Sequence, residues 1–219
     1  MPEIEISEKL TVFLIFLPLF FLSIAFHEFA HAIMAYKKGD PTAKDEGRLT
    51  LNPLKHIDLF GSLVMPLISF SSGLALIGWA KPVPVNRSYF RDPIKDDIVV
   101  TFAGPFSNLI LCFVFAMVFS FAYNQPSLSQ NTILIRILFL AIYLNAFLFL
   151  FNLLPIPPLD GAHLLYDFFP GEFTARYLNL GLYGSIILLL FIYSPLWRYF
   201  SYALNFIIQS FLSLTGAKL

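Results

Sequence analysis

Six stretches without one charged side chain divide this sequence and limit what it can become: residues 11–26, 59–80, 98–123, 137–159, 177–197 and 199–217. About 20 predominantly apolar residues cross a bilayer as a helix, and several of these runs meet that length. Of the 219 residues, 58% are hydrophobic and 13% charged, where a soluble domain carries roughly a quarter charged residues. The pattern predicts an all-α polytopic membrane protein, one membrane domain over 1–219. The net charge is zero and no basic run is present, which excludes nucleic acid as a partner on charge grounds. Cys112 lies mid-span and reads as a small core residue. The start, "MPEIEISEKL", lacks the basic region and cleavage site of a signal peptide, so the first helix is expected to stay attached.

Along the chain, a helix is predicted over about 9–36, with Pro18 allowing a kink and "KKGDPTAKDEG" ending it. "GRLTLNPLKH" alternates and reads as a strand before a turn. "GWAKPVPVN", with prolines two apart, must be extended, and the two together suggest a small β-hairpin. Further helices are expected over about 97–123, 132–154, 175–193 and 196–214. Stretch 59–80 is interrupted by Gly61, Pro66 and Gly73. Basic residues precede it (Lys37, Lys38, Lys44, Arg48, Lys55) and follow it (Lys81, Arg87, Arg91, Lys95), whereas loop 124–131 has none. If 59–80 dips in and returns, both basic groups lie in the cytoplasm, as the positive-inside rule requires. The expectation is about five full transmembrane helices plus a re-entrant segment, with a catalytic core over 9–168 and two extra C-terminal helices over 175–215.

Within this apolar frame stands "HEFAH". His27 and His31, at i and i+4, leave one face of a helix a turn apart. That spacing lets two imidazoles reach one metal ion, with Glu28 beside them to take a proton from water. Two histidines packed by chance are the bland alternative, and it weakens inside a membrane, where ionisable groups are costly and mark function. A catalytic zinc takes a third protein ligand; His56, Asp160, His163 and Asp167 are candidates. Asp160 follows the uncharged run 137–159, and counting spans brings it to the depth of His27 and His31. An N-cap of a short helix 161–168 is the bland reading of the same aspartate.

"HEFAH", "GRLTLNPLKHID", "GWAKPVPVN", "AGPFSN" and "NLLPIPPLDG" together resemble the site-2 protease family of intramembrane zinc metalloproteases, in its compact bacterial branch, over residues 26–161. The resemblance implies one Zn²⁺ held by His27, His31 and Asp160, with Glu28 as general base. It implies a three-helix core bearing "HEFAH", "GPFSN" and "PPLDG". Asn108 and Asn152 match the family's polar positions near the metal and read as oxyanion or substrate donors, with hydrogen bonding between helices as the alternative. Where members often have a basic residue three after the aspartate, this chain has His163. No PDZ or CBS module is recognised. The implied activity is hydrolysis of a peptide bond in or near a transmembrane segment of a membrane-protein substrate. The implied setting is the bacterial plasma membrane, with the site toward the cytoplasm.

The rival reading is a non-catalytic metal-binding or scaffolding protein with a vestigial site. Glu28 argues against it, since metal binding needs only the ligands. A channel or transporter would spread ionisable residues over several spans, and here they cluster at one depth. His56 reads as a strand-turn hydrogen-bonder, and Gly104-Pro105 as a place of close helix packing. Pro82 and Pro84 leave Lys81, Val83 and Val85 as donors on one edge of the extended segment. That edge suits an unwound substrate added as a strand, with a purely structural hairpin as the alternative.

Overall fold

The computed structural model describes residues 2–72 and 78–217. Ten α-helices occur among them: α1 (Pro2–Lys37), α2 (Thr42–Asp45), α3 (Met65–Ser72), α4 (Pro93–Asn124), α5 (Pro126–Ser129), α6 (Thr132–Asn152), α7 (Asp160–Phe168), α8 (Glu172–Leu178), α9 (Leu182–Tyr193) and α10 (Leu196–Thr215). Three described stretches are long and apolar enough to cross a membrane: Phe13–Lys37, Pro93–Asn124 and Thr132–Asn152. They are the expected core, and α4 is its centre, packing on α1 along one flank and on α6 along another.

Local sequence sets their ends. The Asp92 side chain accepts from Lys95 N, and Pro93 opens α4 where its missing N–H costs nothing. Asn131 caps α6 in the same way. The α1 helix continues through Pro18 to Lys37, and Gly39, at φ 106°, turns the chain away. After α6 the prolines of "LPIPPL" forbid a continued helix, and the chain folds back to start α7 at Asp160.

Cys112, Ala116, Phe119 and Ala122 of α4 close on Leu138, Ile142 and Ala146 of α6 and on Phe200, Leu204, Ile208 and Leu212 of α10. The α10 residues recur every four positions, one buried stripe of an amphipathic helix. Elsewhere the long helices expose large apolar side chains, among them Phe106, Ile110, Met117, Phe121 and Phe139. In water such a surface would be a liability; facing lipid it is the solvated one.

Two expectations change. No strand forms among the described residues, so the expected β-hairpin is absent there. Residues 53–55 make a 3₁₀ turn and Leu59–Val64 a π-helical turn. The 78–86 segment is extended as expected, yet it meets them through isolated bonds rather than a ladder. Trp79 N donates to Gly61 O at 3.0 Å and Lys81 N to His56 O at 2.9 Å. Prolines at 53, 82 and 84 remove the donors a ladder would need. The first of these bonds has a topological meaning: the chain leaves at Gly61 and returns to the same point at Trp79. Leu59–Ile68 is too short to cross, and 73–77, in the middle of the predicted re-entrant stretch, lie outside the described residues.

The expected span over 175–193 is broken. Residues Glu172–Leu178 and Tyr183–Tyr193 meet at 82°, around Gly181 with φ 53°. With that pair taken as one bent span the described residues offer up to four crossings, not five.

Candidate metal centre

His27 and His31 point from α1 toward α4 and the start of α7, both under a tenth exposed. Their Nε2 atoms lie 3.0 Å apart. Asp160 Oδ2 is 3.1 Å from His27 Nε2 and 3.5 Å from His31 Nε2. Asp160 is the first residue of α7 rather than its cap, since Leu159 holds that place without a side-chain bond. Its carboxylate is aimed at the histidines.

The protons on the imidazoles follow from their other nitrogens. His31 Nδ1 lies 2.8 Å from Val100 O, a carbonyl that only accepts, so Nδ1 donates. Asn108 Nδ2 donates to Ser23 O at 3.2 Å and to Asn145 Oδ1 at 3.1 Å. That turns Asn108 Oδ1 to His27 Nδ1, at 2.7 Å, and His27 Nδ1 donates as well. In their neutral form both imidazoles then present Nε2 lone pairs, to each other and to Asp160 Oδ2. Three such atoms this close need a proton or a cation among them, and a single bound cation satisfies all three at once.

Space is kept for one. A Cβ built on Gly104 would sit 2.1 Å from His31 Nε2 and 2.7 Å from His27 Nε2. The missing side chain does more than bring α4 close to α1. It leaves open the point that a metal bound to both nitrogens at about 2.0–2.1 Å would take. Two imidazoles and one carboxylate are an ordinary zinc donor set, and His27, His31 and Asp160 fit it.

Glu28 is buried beside this group, and its Oε2 accepts from Val83 N at 2.8 Å. The extended segment thus lies against the motif, as a partner of Glu28 rather than as a free edge. Lys81 N and Val83 N, two of the proposed substrate donors, are both taken by protein acceptors, and Val85 is exposed. Arg48 Nη2 donates to Lys81 O at 2.6 Å, and Asn86 N donates to Asp40 Oδ2 at 2.7 Å. Arg87 then pairs with Asp97 of α4 and, at 3.1 Å, with Asp167 of α7.

The remaining candidates are elsewhere engaged. Asn108 gives its N–H groups to Ser23 O and Asn145 Oδ1, and its Oδ1 accepts from His27 Nδ1. Asn152 Nδ2 donates to Leu148 O of its own helix. His56 Nε2 donates to Thr50 O at 2.8 Å. Asp167 faces Arg87. Burial and the adjacent Arg87 push His163 below the usual histidine value, and it is not among the converging ligands. Sequence reasoning missed Asn145 and Ser23; the signal for Asn145 was a polar side chain inside an apolar run.

Comparison with known proteins places the chain among zinc metalloproteases. The family model described as "Peptidase family M50" matches residues 123–192. "Putative zinc metalloprotease YwhC" of Bacillus subtilis (strain 168) is 44% identical over 181 residues, covering 81% of this chain and 80% of that protein. "Putative zinc metalloprotease Rip2" of Mycolicibacterium smegmatis is 32% identical over 150 residues, 68% of this chain and 55% of its own length. Rip2 of Mycobacterium tuberculosis (strain ATCC 25618 / H37Rv) is 30% identical over 151 residues, with the same coverage. No solved structure matches the chain. With those relatives and this motif set, the chain belongs to peptidase family M50, the site-2 protease family that its motifs resemble.

Proposed function

We propose that this chain is a membrane zinc metalloprotease that hydrolyses a peptide bond in or near a transmembrane segment of a membrane-protein substrate. One observation carries the reading: ligand atoms of His27, His31 and Asp160 converge beside the buried Glu28, among three membrane-length helices. His27, His31 and Asp160 hold the metal. Bound there, Zn²⁺ acidifies water and polarises the scissile carbonyl.

The chain's own residues do the rest. Glu28 takes the proton of the attacking water as its oxygen bonds to the carbonyl carbon. Val83 engages Oε2, which leaves Oε1 for that proton. Glu28 then passes it to the amide nitrogen as the carbon–nitrogen bond breaks. Asn108 and Val100 O keep both imidazoles oriented throughout. Because the 78–86 segment covers Glu28, a substrate segment reaches the base by displacing or lying along it. A helical carbonyl is shielded by its own hydrogen bonds, so the substrate must unwind first.

The basic residues at 37–55 and 81–95 sit at the end of the bundle that carries "HEFAH". By the positive-inside rule this end is cytoplasmic, in a bacterial plasma membrane. The bond between Trp79 and Gly61 supports the re-entrant reading of 59–80, since entry and exit meet at that end. The test uses purified chain in detergent, loaded with zinc, and a single-span model substrate whose products are sequenced by mass spectrometry. Cuts within or next to the apolar segment, removed by a chelator and restored by Zn²⁺, are expected. Cutting confined to soluble unfolded peptides would refute the substrate class, and chelator-resistant cutting would refute the metal.

A further inference from the structure

His27 is oriented by a chain of amides that crosses all three long helices, and the far end of that chain has no place in the chemistry. Asn145 of α6 and Asn108 of α4 are both fully buried. Asn145 Nδ2 donates to Ala141 O at 2.9 Å and to Ser23 Oγ at 3.0 Å. A backbone carbonyl only accepts, so the nitrogen of this amide is fixed on that side and its Oδ1 faces Asn108. Asn108 Nδ2 donates to that oxygen and to Ser23 O, which leaves its own Oδ1 for His27 Nδ1. Two backbone carbonyls set the directions, Ala141 O for Asn145 and Ser23 O for Asn108, and Asn145 Oδ1 takes the second N–H of Asn108.

We infer that Asn145 is a positioning residue for metal binding: it fixes the Asn108 amide and thereby holds His27 in the tautomer whose Nε2 faces the metal. This rests on the metal-centre reading above. His31 supplies an internal comparison. Its Nδ1 donates straight to the Val100 carbonyl, which has one polarity and needs nothing to orient it. A side-chain amide has two ends of nearly the same shape, and its partners alone decide which end an imidazole meets. His27 therefore needs a device that His31 does not. The alternative is that the three polar residues simply tie α1, α4 and α6 together, as hydrogen bonds between helices do in membranes. Such a tie would alter stability and leave metal affinity alone.

The experiment measures Zn²⁺ affinity of the full chain in detergent, by competition with a chromophoric chelator. The visible spectrum with Co²⁺ in place of Zn²⁺ reports ligand geometry. Asn145→Leu keeps the volume and removes the acceptor that Asn108 needs. Asn145→Asp keeps an acceptor oxygen and, protonated in this apolar place, a donor for Ala141. Partners of metal-binding histidines are typically worth 10–100-fold in affinity. A loss of about tenfold or more with shifted Co²⁺ bands is expected for Asn145→Leu, and rescue toward wild type for Asn145→Asp. Should Asn145→Leu not fold, Asn145→Ser replaces it; its hydroxyl can still bond to Ala141 O but no longer reaches Asn108. Unchanged affinity and Co²⁺ bands in the variant, however far its melting temperature falls, would overturn the inference, as would an Asp variant no better than Leu. Wild-type chain that takes up no zinc would overturn the metal centre itself, a separate result from zinc bound equally well by wild type and variant.

Discussion

From Thr101 to Asn108, α4 faces the metal-ligand groups with a glycine, a proline and a buried amide. From Cys112 to Ala122 the same helix faces α6 and α10 with sulfur, methyl groups and aromatic rings. In the first stretch the contacts around the histidines are directional. His27, Asn108, Asn145 and Ser23 each have one arrangement in which all donors find acceptors, and removing one leaves its neighbour unpaired in a low-dielectric interior. In the second, Phe147, Phe151, Phe200 and Trp197 pack in stacked and edge-on pairs, and non-directional contacts redistribute when one changes. Around the histidines α4 is specified mainly by directional bonds, and against α6 and α10 mainly by volume, with the Ser120–Thr215 hydroxyl bond as the polar exception.

Substitutions at five positions, with His56 and His163 as controls, test that contrast, from the greatest expected effect downward. Gly104→Ala should remove zinc and all cleavage while α4 persists, because alanine favours a helix and its methyl would fill the metal position. Metal analysis with circular dichroism reads both, and a zinc-loaded, active Gly104→Ala would break the assignment of the site. Asp160→Ala should likewise lose metal, and Asp160→Asn should hold it weakly. His56→Ala and His163→Ala should keep it, and the reverse pattern would mean a different third ligand. Glu28→Gln should keep zinc and slow the chemical step by roughly 10²–10⁴, since an amide cannot accept the proton. Near-normal turnover there would remove Glu28 from the mechanism.

In the apolar half, Ile142→Val should cost only about 0.5–1.5 kcal/mol of stability and leave zinc content and turnover unchanged. Loss of metal in that variant would show that the halves are coupled. The smallest effect concerns pH. Burial first, and the neighbouring Asp97 carboxyl second, push Asp167 up to about 7 from 3.8, while Arg87 pulls the other way. A carboxyl raised on folding favours the native state in its protonated form. Its contribution is complete below the unfolded value and is lost as pH rises toward 7. Thermal unfolding between pH 4 and about 7 should show that decline in wild type, and Asp167→Asn should flatten it; equal slopes would remove Asp167 as the cause.

"HEFAH" and Asp160 were legible because ionisable side chains in uncharged runs are rare, and because i, i+4 spacing puts two of them on one helix face. Asn108 was legible as a position but not as a role. Its amide nitrogen meets Ser23 O and Asn145 Oδ1, partners far away in sequence and without a motif. The hairpin was misread because short alternation in "GRLTLNP" is shared by strands and turns, and the prolines that made 78–86 extended also denied it a ladder. The fifth expected span is not confirmed: the bent pair around Gly181 gives up to a fourth crossing, while α10 is amphipathic, with polar Arg198, Asn205 and Gln209 along it.

Val83 lies between two prolines, and proline has no amide hydrogen to exchange. Over residues 82–84 deuterium from solvent can enter the backbone at Val83 alone, and that hydrogen is the one held by Glu28. Exchange requires this bond to open. The chain thus carries an isotopic clock at its own base: deuterium uptake by a peptide spanning this triplet, set against the same peptide from Glu28→Ala, times how often Glu28 is released.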